Sequence, residues 1–194
     1  HQVPDARSWE YADGFVAPSP ALQEAREAAR ADQWEVLSNG TTALLAFLTR
    51  TMQASSVVTI GTDAGVSALA LLEGMSDHGV LTSIDPDAER QAAARKVLSL
   101  ARIRSNQVRL ITGTPLDVLP KLRDGAYDMV LINGDRLEYV EYVSQALRLL
   151  RTGGIVVVND ALANNHVADP DNEDDDTLII RETLDSVLET EEFT

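Results

Sequence analysis

Five short apolar runs alternate with segments of helical periodicity along the chain. The runs cover residues 57–60, 80–84, 108–111, 129–132 and 155–158. They are rich in β-branched residues and almost continuously apolar, which is typical of parallel strands covered on both faces. Strands that alternate with helices favour right-handed crossovers within one sheet. The pattern therefore predicts an α/β fold with an open, doubly wound, mainly parallel, Rossmann-like sheet.

Two helical stripes flank the fifth run. The first consists of Val140, Val143, Leu147 and Leu150, spaced at i, i+3, i+7 and i+10. The second consists of Ile180, Leu184, Val187 and Leu188, spaced at i, i+4, i+7 and i+8. Such spacing places each set on one face of a helix, so we expect both faces to pack on the sheet.

The residues ahead of the first run also favour helices. Residues 21–30 are rich in Ala, Glu and Arg, which are strong helix formers. A second helix has an apolar face made of Leu44, Leu45, Phe47, Leu48 and Met52. Ligands of open α/β sheets bind beyond the carboxyl ends of the strands, so this segment is interpreted either as a lid there or as a plain cover of the sheet.

We expect a single domain over residues 1–194. It comprises a helical N-terminal cap over 1–55, an α/β core over 56–160, and an acidic loop with a C-terminal helix over 161–194. Five parallel strands leave an open sheet edge, so we also expect a closing C-terminal hairpin that these residues do not include.

Composition and charge restrict the classes of function. The chain has no cysteine, which excludes disulfides, thiolate metal sites and a cysteine nucleophile. It has no apolar run of roughly 20 residues, so we expect a cytoplasmic protein without a membrane partner. The net charge is −15, and residues 169–194 hold eleven acids against Arg181 alone. Because nucleic-acid affinity depends on Lys and Arg at phosphates, nucleic acid is not an expected partner.

A glycine-containing turn follows the first run. It reads Gly61-Thr62-Asp63-Ala64-Gly65 and precedes a helix-like segment. Glycine lets the backbone approach a ligand closely, and the amides of the following helix point outward. Asp85, twenty residues past Gly65 and at the end of the second run, can bind both hydroxyls of a ribose. Together these features predict a nucleoside site.

The identity of residue 63 separates two classes of nucleoside ligand. Asp63 stands where a dinucleotide motif has its second glycine, and its side chain would crowd and repel a pyrophosphate. S-adenosylmethionine has a ribose but no phosphate, and its sulfonium and ammonium groups are positive. The sequence therefore favours methyl transfer, and a nicotinamide-dependent oxidoreductase is the less favoured alternative.

Several stretches then carry a family resemblance. They are residues 59–67, 83–86, 113–115, 127–132 and the Leu-Arg-Thr-Gly-Gly turn at 150–154. In this order and spacing, the chain resembles class I S-adenosylmethionine-dependent O-methyltransferases of the catechol and caffeoyl-CoA type. The resemblance runs from Ser38 to Arg181. It implies S-adenosylmethionine as cofactor, methyl transfer to an oxygen of a small-molecule acceptor, and a homodimer, since relatives commonly dimerise.

The resemblance also implies a set of cofactor-binding residues. The turn at 61–65 would pass beneath the methionine part, Asp85 would bind the ribose, and residues 113–115 would border the adenine. Tyr142 corresponds to a cofactor-contacting tyrosine of the family, although a tyrosine packed on the sheet is an equal interpretation. The full set is Ser38, Gly61, Thr62, Asp63, Gly65, Ser67, Asp85, Pro86, Gly113, Thr114, Pro115, Asn133 and Tyr142.

The metal-site positions depart from the family pattern. Cation-dependent members hold Mg²⁺ with an Asp after the fourth strand and an Asp-Asn pair after the fifth. Here these positions are Asn133 and Asn159-Asp160, so a single carboxylate remains. Mg²⁺ is a hard cation that proteins usually bind through one or two carboxylates. Strict metal dependence is therefore not expected, and any cation would have to use Asn133, Asn159 and Asp160.

The catalytic base is left open by the sequence. The position where relatives often have a basic lysine is Arg136, which cannot act as a base because its pKa stays above about 12. It either orients an anionic substrate or is a solvated surface residue. The candidate bases are Asp160 and Asp135, with His166 as a third. The altered residues also leave an alternative, a cofactor-binding protein of this fold in which catalysis has lapsed.

Overall fold

The protein, described over residues 1–194 by a computed structural model, has five strands and eight α-helices. The strands are β1 (Ser56–Ile60), β2 (Val80–Asp85), β3 (Val108–Thr112), β4 (Tyr127–Ile132) and β5 (Leu150–Val158). The helices are α1 (Ala6–Gly14), α2 (Pro20–Ala31), α3 (Asn39–Thr51), α4 (Val66–Gly74), α5 (Ala88–Leu100), α6 (Pro115–Val118), α7 (Tyr139–Leu149) and α8 (Asp175–Glu189). None of the helices combines the length and hydropathy that a membrane span needs.

All five strands are parallel and form one sheet in the order β3-β2-β1-β4-β5. The chain first builds outward from β1 to β3 and then returns to add β4 and β5 on the other side. This confirms the predicted doubly wound sheet, and each predicted run lies within a strand. The order reverses between β1 and β4, where ligands of such folds bind beyond the carboxyl ends.

Both faces of the sheet are covered, which explains why the strands are apolar at nearly every position. Val57, Leu81 and Met129 belong to a core on the side of α2, α3, α4 and α5. Their neighbours Val58 and Val130 belong to a second core on the side of α7 and α8. Because successive side chains of a strand point to opposite faces, each residue in the run contributes to one core or the other.

The two helices predicted ahead of the sheet correspond to α2 and α3. They pack against α4, which is itself almost completely buried. The Ser38 hydroxyl caps α3 by accepting a hydrogen bond from the Thr41 amide at 3.2 Å. The predicted apolar face of α3 is wrong in part, because Leu44 is 51% exposed and Phe47 is 63% exposed.

The predicted stripe of α7 is also displaced. The side chains that α7 buries most deeply are Tyr139, Tyr142, Val143, Ala146 and Leu149. Val143 of the predicted stripe is buried as expected, whereas Val140 and Leu147 are only partly buried. Tyr139 and Tyr142 take two of the other buried positions, and Leu150 already begins β5. In α8, Leu188 is exposed rather than packed on the sheet. Both helices are confirmed, and their predicted buried faces are correct in part, because Val143 and Ile180 are buried whereas Leu188 is not.

A cavity of about 130 Å³ lies between α2 and α5. Most of its lining is alanine, and Trp34 and Ala64 form part of its wall. Ala64 belongs to the turn that follows β1, so this cavity borders the turn from the side of the helices.

The crossing of α3 and α4 depends on Gly74, the last residue of α4. A Cβ atom at this position would overlap the hydroxyl of Thr49 and the carbonyl oxygen of Ala46. We expect Gly74→Ala to lower the free energy of unfolding by about 1–3 kcal/mol through overpacking. Urea denaturation measures this change.

The matched control is Gly14→Ala at the end of α1, where a Cβ atom would meet nothing within 4 Å. That variant should unfold at a urea concentration equal to or slightly above that of the wild type. Equal destabilisation by the two substitutions would contradict the assigned role of Gly74.

Candidate functional site

A polar cleft opens where the strand order reverses. Gly61, Asn133 and Asn159 are the residues that follow β1, β4 and β5. Their backbone N–H groups donate, respectively, to the carbonyls of Ile84 in β2, Ile60 in β1 and Ile132 in β4, at 2.8–2.9 Å. These bonds extend the sheet by one residue and fix the rim of the cleft.

Two adjoining cavities make up the cleft. The inner cavity has a volume of about 260 Å³ and is lined by Glu35, Gly61, Asp63, Asp85, Arg90, Asn133, Gly134, Arg136, Tyr139, Asn159 and Asp160. The outer cavity has a volume of about 430 Å³ and is lined by Glu35, Val36, Leu37, Ser38, Thr41, Asp63, Asn133, Arg136, Asn159, Asp160 and Asn164. The lining of both cavities is mostly polar, so they suit a hydrophilic ligand rather than an apolar one.

The turn after β1 forms the floor of the inner cavity. Gly61 has a φ of +92°, and a Cβ atom there would overlap the carbonyl oxygen of Asn133. Only glycine combines this backbone angle with this close approach. The Thr59 hydroxyl donates to the Gly61 carbonyl at 2.8 Å and braces the turn. Gly65, with a φ of +96°, packs against α5 instead of the cavity.

Asp85 is held rigidly at the end of β2. Its side chain is buried, and it lines the inner cavity. One carboxylate oxygen accepts a hydrogen bond from the Thr62 amide at 3.0 Å, and the other accepts one from the Asp87 amide at 2.9 Å. Each oxygen keeps a further lone pair for a ligand hydroxyl.

Asp63 is a buried carboxylate in a strained turn. It has a φ of +58°, and Ala64 follows with +52°, a conformation that costs roughly 1–2 kcal/mol for a residue with a Cβ atom. The carboxylate accepts a hydrogen bond from the Leu37 amide at 3.1 Å. Burial raises the pKa of Asp63 to about 7, although the Leu37 hydrogen bond and the charges of Arg26 and Arg90 act to lower it.

The linker between α2 and α3 is clamped over the cleft. Its Leu37 N–H is bound by Asp63, and its Leu37 carbonyl accepts a hydrogen bond from Arg26 at 2.6 Å. Arg26 also donates to the Thr42 hydroxyl at 2.8 Å. Linker residues 35–38 line the outer cavity, whereas α2 and α3 pack against α4, so a lid role for the N-terminal segment stays a prediction.

The predicted metal positions are engaged with each other. The Asn159 side-chain amide donates to the Asn133 side-chain oxygen at 2.9 Å. Arg136 is ion-paired with Asp160 and lies 3.7 Å from a carboxylate oxygen of Asp176. The structure contains no group of three or more His, Cys, Asp or Glu side chains placed to hold a metal ion.

The three candidate bases occupy different environments. Asp160 lines both cavities. Asp135 is exposed, and its carboxylate accepts a hydrogen bond from the Leu137 amide at 3.0 Å. His166 is half-exposed, with its Nδ1 atom 3.9 Å from Asp174. Of the three, only Asp160 faces the cleft.

The predicted cofactor residues divide into those that line one of the two cavities and those that line neither. Gly61, Asp63, Asp85 and Asn133 come together in the inner cavity, and Ser38 lines the outer one. The residues that line neither cavity are Thr62, Gly65, Ser67, Pro86, Gly113, Thr114, Pro115 and Tyr142. Two of these contact Asp85, which does line the inner cavity: the Thr62 amide donates to its carboxylate at 3.0 Å and the Gly113 amide donates to its carbonyl at 3.1 Å.

Tyr142 lies beneath the cleft. It is buried, and its hydroxyl donates to a Glu138 carboxylate oxygen at 2.5 Å. Burial raises the pKa of Tyr142 above its usual range. Tyr139, which the sequence analysis missed, lines the inner cavity and donates its hydroxyl to the Asn159 carbonyl at 3.1 Å. Burial raises the pKa of Tyr139 to about 12.

Glu35 and Arg90 were also missed. Glu35 lies in the linker and Arg90 lies in the first turn of α5, yet both line the inner cavity. Neither belongs to a motif, and no pattern in the sequence distinguishes them from solvated surface charges.

Comparisons with known proteins agree with this geometry. A family model described as O-methyltransferase matches residues 15–192. The probable O-methyltransferase Rv1220c from Mycobacterium tuberculosis is 37% identical over 186 residues, which cover 96% of this chain and 83% of that protein.

Two solved structures extend the comparison. The O-methyltransferase TomG from Streptomyces achromogenes, involved in tomaymycin synthesis and crystallised in complex with SAM, is 27% identical with a TM-score of 0.84. The match covers 94% of this chain and 83% of TomG. Cofactor-bound Rv0187 from MTB is 28% identical with a TM-score of 0.87, over 98% of this chain and 88% of Rv0187. Because the family match spans the whole sheet and both cavities, this chain belongs to the O-methyltransferase family.

Proposed function

We propose that the protein transfers a methyl group from S-adenosylmethionine to an oxygen of a small, polar acceptor, without a divalent cation. The observation that carries the proposal is the buried Asp85 carboxylate, fixed by two backbone amides beside the Gly61 turn. The family match and the similarity to TomG, crystallised with SAM, support methyl transfer over hydride transfer.

The residues of the inner cavity fit this cofactor. S-adenosylmethionine supplies a methyl group carried on a positively charged sulfur. Asp85 would bind the ribose hydroxyls with its remaining lone pairs, and Gly61 leaves room for close backbone approach. Glu35 and Asp63 place negative charge in the same cavity, which suits a ligand with a sulfonium and an ammonium group.

The residues at the metal positions do not fit a divalent cation. The single carboxylate among them, Asp160, is ion-paired with Arg136, and the two asparagine amides bind each other. A hard cation such as Mg²⁺ prefers anionic oxygen ligands and would have to displace the guanidinium group. We therefore derive no catalytic step through a metal.

The outer cavity is the proposed acceptor site. Its lining is polar apart from Val36 and Leu37, which supports a hydroxylated acceptor. Methyl transfer from a sulfonium can depend mainly on proximity and orientation. Asp160 lies at the wall shared by the two cavities, where its carboxylate can accept the proton of an acceptor hydroxyl, while Asp135 stays a second candidate from the sequence.

We also propose that the protein forms a homodimer through α1 and α3. The Asp13 side chain of α1 accepts a hydrogen bond from the Gly40 amide of α3 at 2.7 Å, so these helices share one surface. Trp9 of α1, Phe15 directly after α1 and Phe47 of α3 are all exposed, and a second copy of the chain packed on these helices would bury them. The cytoplasmic location and the absence of nucleic-acid and membrane partners stay predictions from the sequence.

The cofactor assignment is tested by calorimetric titration of S-adenosylhomocysteine. We expect binding by the wild type, and affinity at least about tenfold weaker for Asp85→Asn, since a charge-assisted hydrogen bond to the ribose is lost. The control Asp185→Asn removes the same charge from an exposed position on α8 and should bind as the wild type does. Equal affinity of the two variants would contradict the role of Asp85.

Metal independence and the base are tested together by methyl transfer to a panel of phenolic acceptors. We expect the same turnover in EDTA and in excess Mg²⁺. Asp160→Asn should lower kcat by about 10²–10⁴-fold, because a positioned base is removed, with little change in S-adenosylmethionine binding. Loss of turnover in EDTA, restored by Mg²⁺, would refute the metal-free proposal. Cofactor binding with no turnover of any acceptor would instead favour lapsed catalysis.

The dimer is tested by sedimentation velocity. We expect the wild type to sediment as a dimer and the double variant Trp9→Ser, Phe47→Ser to shift toward monomer, because it removes the apolar area that the contact would bury. Leu188→Ser, which changes an exposed leucine of α8, is the matched control and should leave the dimer intact. A wild-type monomer at all concentrations would disprove this interface.

A further inference from the structure

Asp63 has a position that its hydrogen bond alone does not explain. It is 6% exposed and lines both cavities. It is also the first of two consecutive residues, neither of them glycine, that have a left-handed backbone conformation. An Asn or Gly at this position would accept the backbone angle more readily. A costly conformation that persists in a cleft indicates that the side chain is used.

The charges around Asp63 do not balance. Arg26 of α2 and Arg90 of α5 act on its carboxylate from the helix side. The other charged groups that line the cavities with Asp63 are Glu35, Asp85, Arg136 and Asp160. With Asp63 included, the groups that line the cavities are four carboxylates against the guanidinium groups of Arg90 and Arg136, and these two arginines also face Asp87 and Asp176. When all are ionised, the lining has an excess of negative charge, which favours a ligand with a net positive charge.

The two forms of the proposed cofactor differ by this charge. S-adenosylmethionine has a positive sulfonium, a positive ammonium and a negative carboxylate. S-adenosylhomocysteine, which is left after the methyl group has gone, has a neutral thioether instead. The substrate form thus has a net charge of +1 and the product form has none, while their shapes are nearly the same.

We propose that the Asp63 carboxylate makes the cleft bind S-adenosylmethionine in preference to S-adenosylhomocysteine, so that Asp63 is a specificity-determining residue that favours release of the spent cofactor. The inference rests on the proposed function. It goes beyond it because charge, not shape, becomes the feature by which this chain separates substrate from product.

If Asp63 had a purely structural role, its substitution would change the two affinities in a different way. If the carboxylate served only to hold Leu37 and the linker over the cleft, its loss would weaken both cofactor forms equally. Asp63→Asn separates the two roles, because an amide oxygen can still accept the Leu37 hydrogen bond while the negative charge is gone.

The test is a pair of calorimetric titrations at pH 8, one with S-adenosylmethionine and one with S-adenosylhomocysteine. We expect Asp63→Asn to reduce the affinity for S-adenosylmethionine about tenfold more than the affinity for S-adenosylhomocysteine, which has lost the sulfonium charge but keeps its ammonium group. Asp63→Gly, which also relieves the left-handed backbone, should give the same change in the ratio of affinities. Asp185→Asn should not change that ratio.

The pH dependence supplies a second readout. Because the pKa of Asp63 is about 7, its carboxylate is ionised at pH 8 and largely protonated at pH 6. The wild-type affinity for S-adenosylmethionine should therefore fall between pH 8 and pH 6 toward that of Asp63→Asn. The amino group of the ligand titrates with both proteins, so the difference between them isolates Asp63.

The outcomes separate the inference from the function on which it rests. Equal loss of both cofactor forms in Asp63→Asn, or an unchanged ratio of affinities, would overturn the inference and leave the methyltransferase proposal intact. Failure of the wild type to bind either form would overturn both.

The fold of the variant is checked by its thermal stability without ligand. The folded-state pKa of Asp63 lies above its ordinary value of 3.8, so the stability that protonated Asp63 contributes to the wild type is lost as the pH rises from about 4 to 7. Asp63→Asn lacks this loss and should be the more stable protein at pH 8, by a margin that shrinks toward pH 5. If Asp63→Asn is unfolded at pH 8, the ratio of affinities is measured with Asp63→Gly instead.

Discussion

The cleft depends on how closely the ends of β1 and β4 approach each other. The backbone of Gly61 turns away beneath the carbonyl of Asn133, leaving no room for a Cβ atom. Since parallel strands present their carboxyl ends at one edge, this single contact brings the glycine turn, Asp85 and the residues after β4 and β5 around one space. A side chain at position 61 would force the strand ends apart and change both cavities together.

The distribution of charge then divides the cleft into two halves of different chemical character. The half near β1 and β2 has the acids Asp63 and Asp85, which suit a positively charged nucleoside. The half near β4 and β5 has two amides that bind each other and an Arg136–Asp160 ion pair. In this half the guanidinium group of Arg136 provides the positive charge beside Asp160.

The sequence was sufficient for the sheet, and less so for the contacts that shape the site. Strand runs were predictable because burial on both faces makes every position apolar. The buried face of α7 was predictable only in part, since Tyr139 and Tyr142 are amphipathic and can be assigned to either side. The contacts of Leu37 with Asp63 and of Arg136 with Asp160 join residues 26 and 24 positions apart. No local periodicity reports such pairs; they follow from the packing of the linker and the loops on the finished sheet.

The alanine-lined cavity between α2 and α5 has a mechanical consequence. Residues 63 and 64 form a partition, with the Asp63 side chain lining the cleft on one side and Ala64 lining the cavity of about 130 Å³ on the other. Hydrostatic pressure favours states in which such internal voids are eliminated. Compression of this void would move the partition, and with it the carboxylate that lines the cleft. The packing of α2 and α5 around the cavity is therefore mechanically coupled to the position of the Asp63 carboxylate in the cleft.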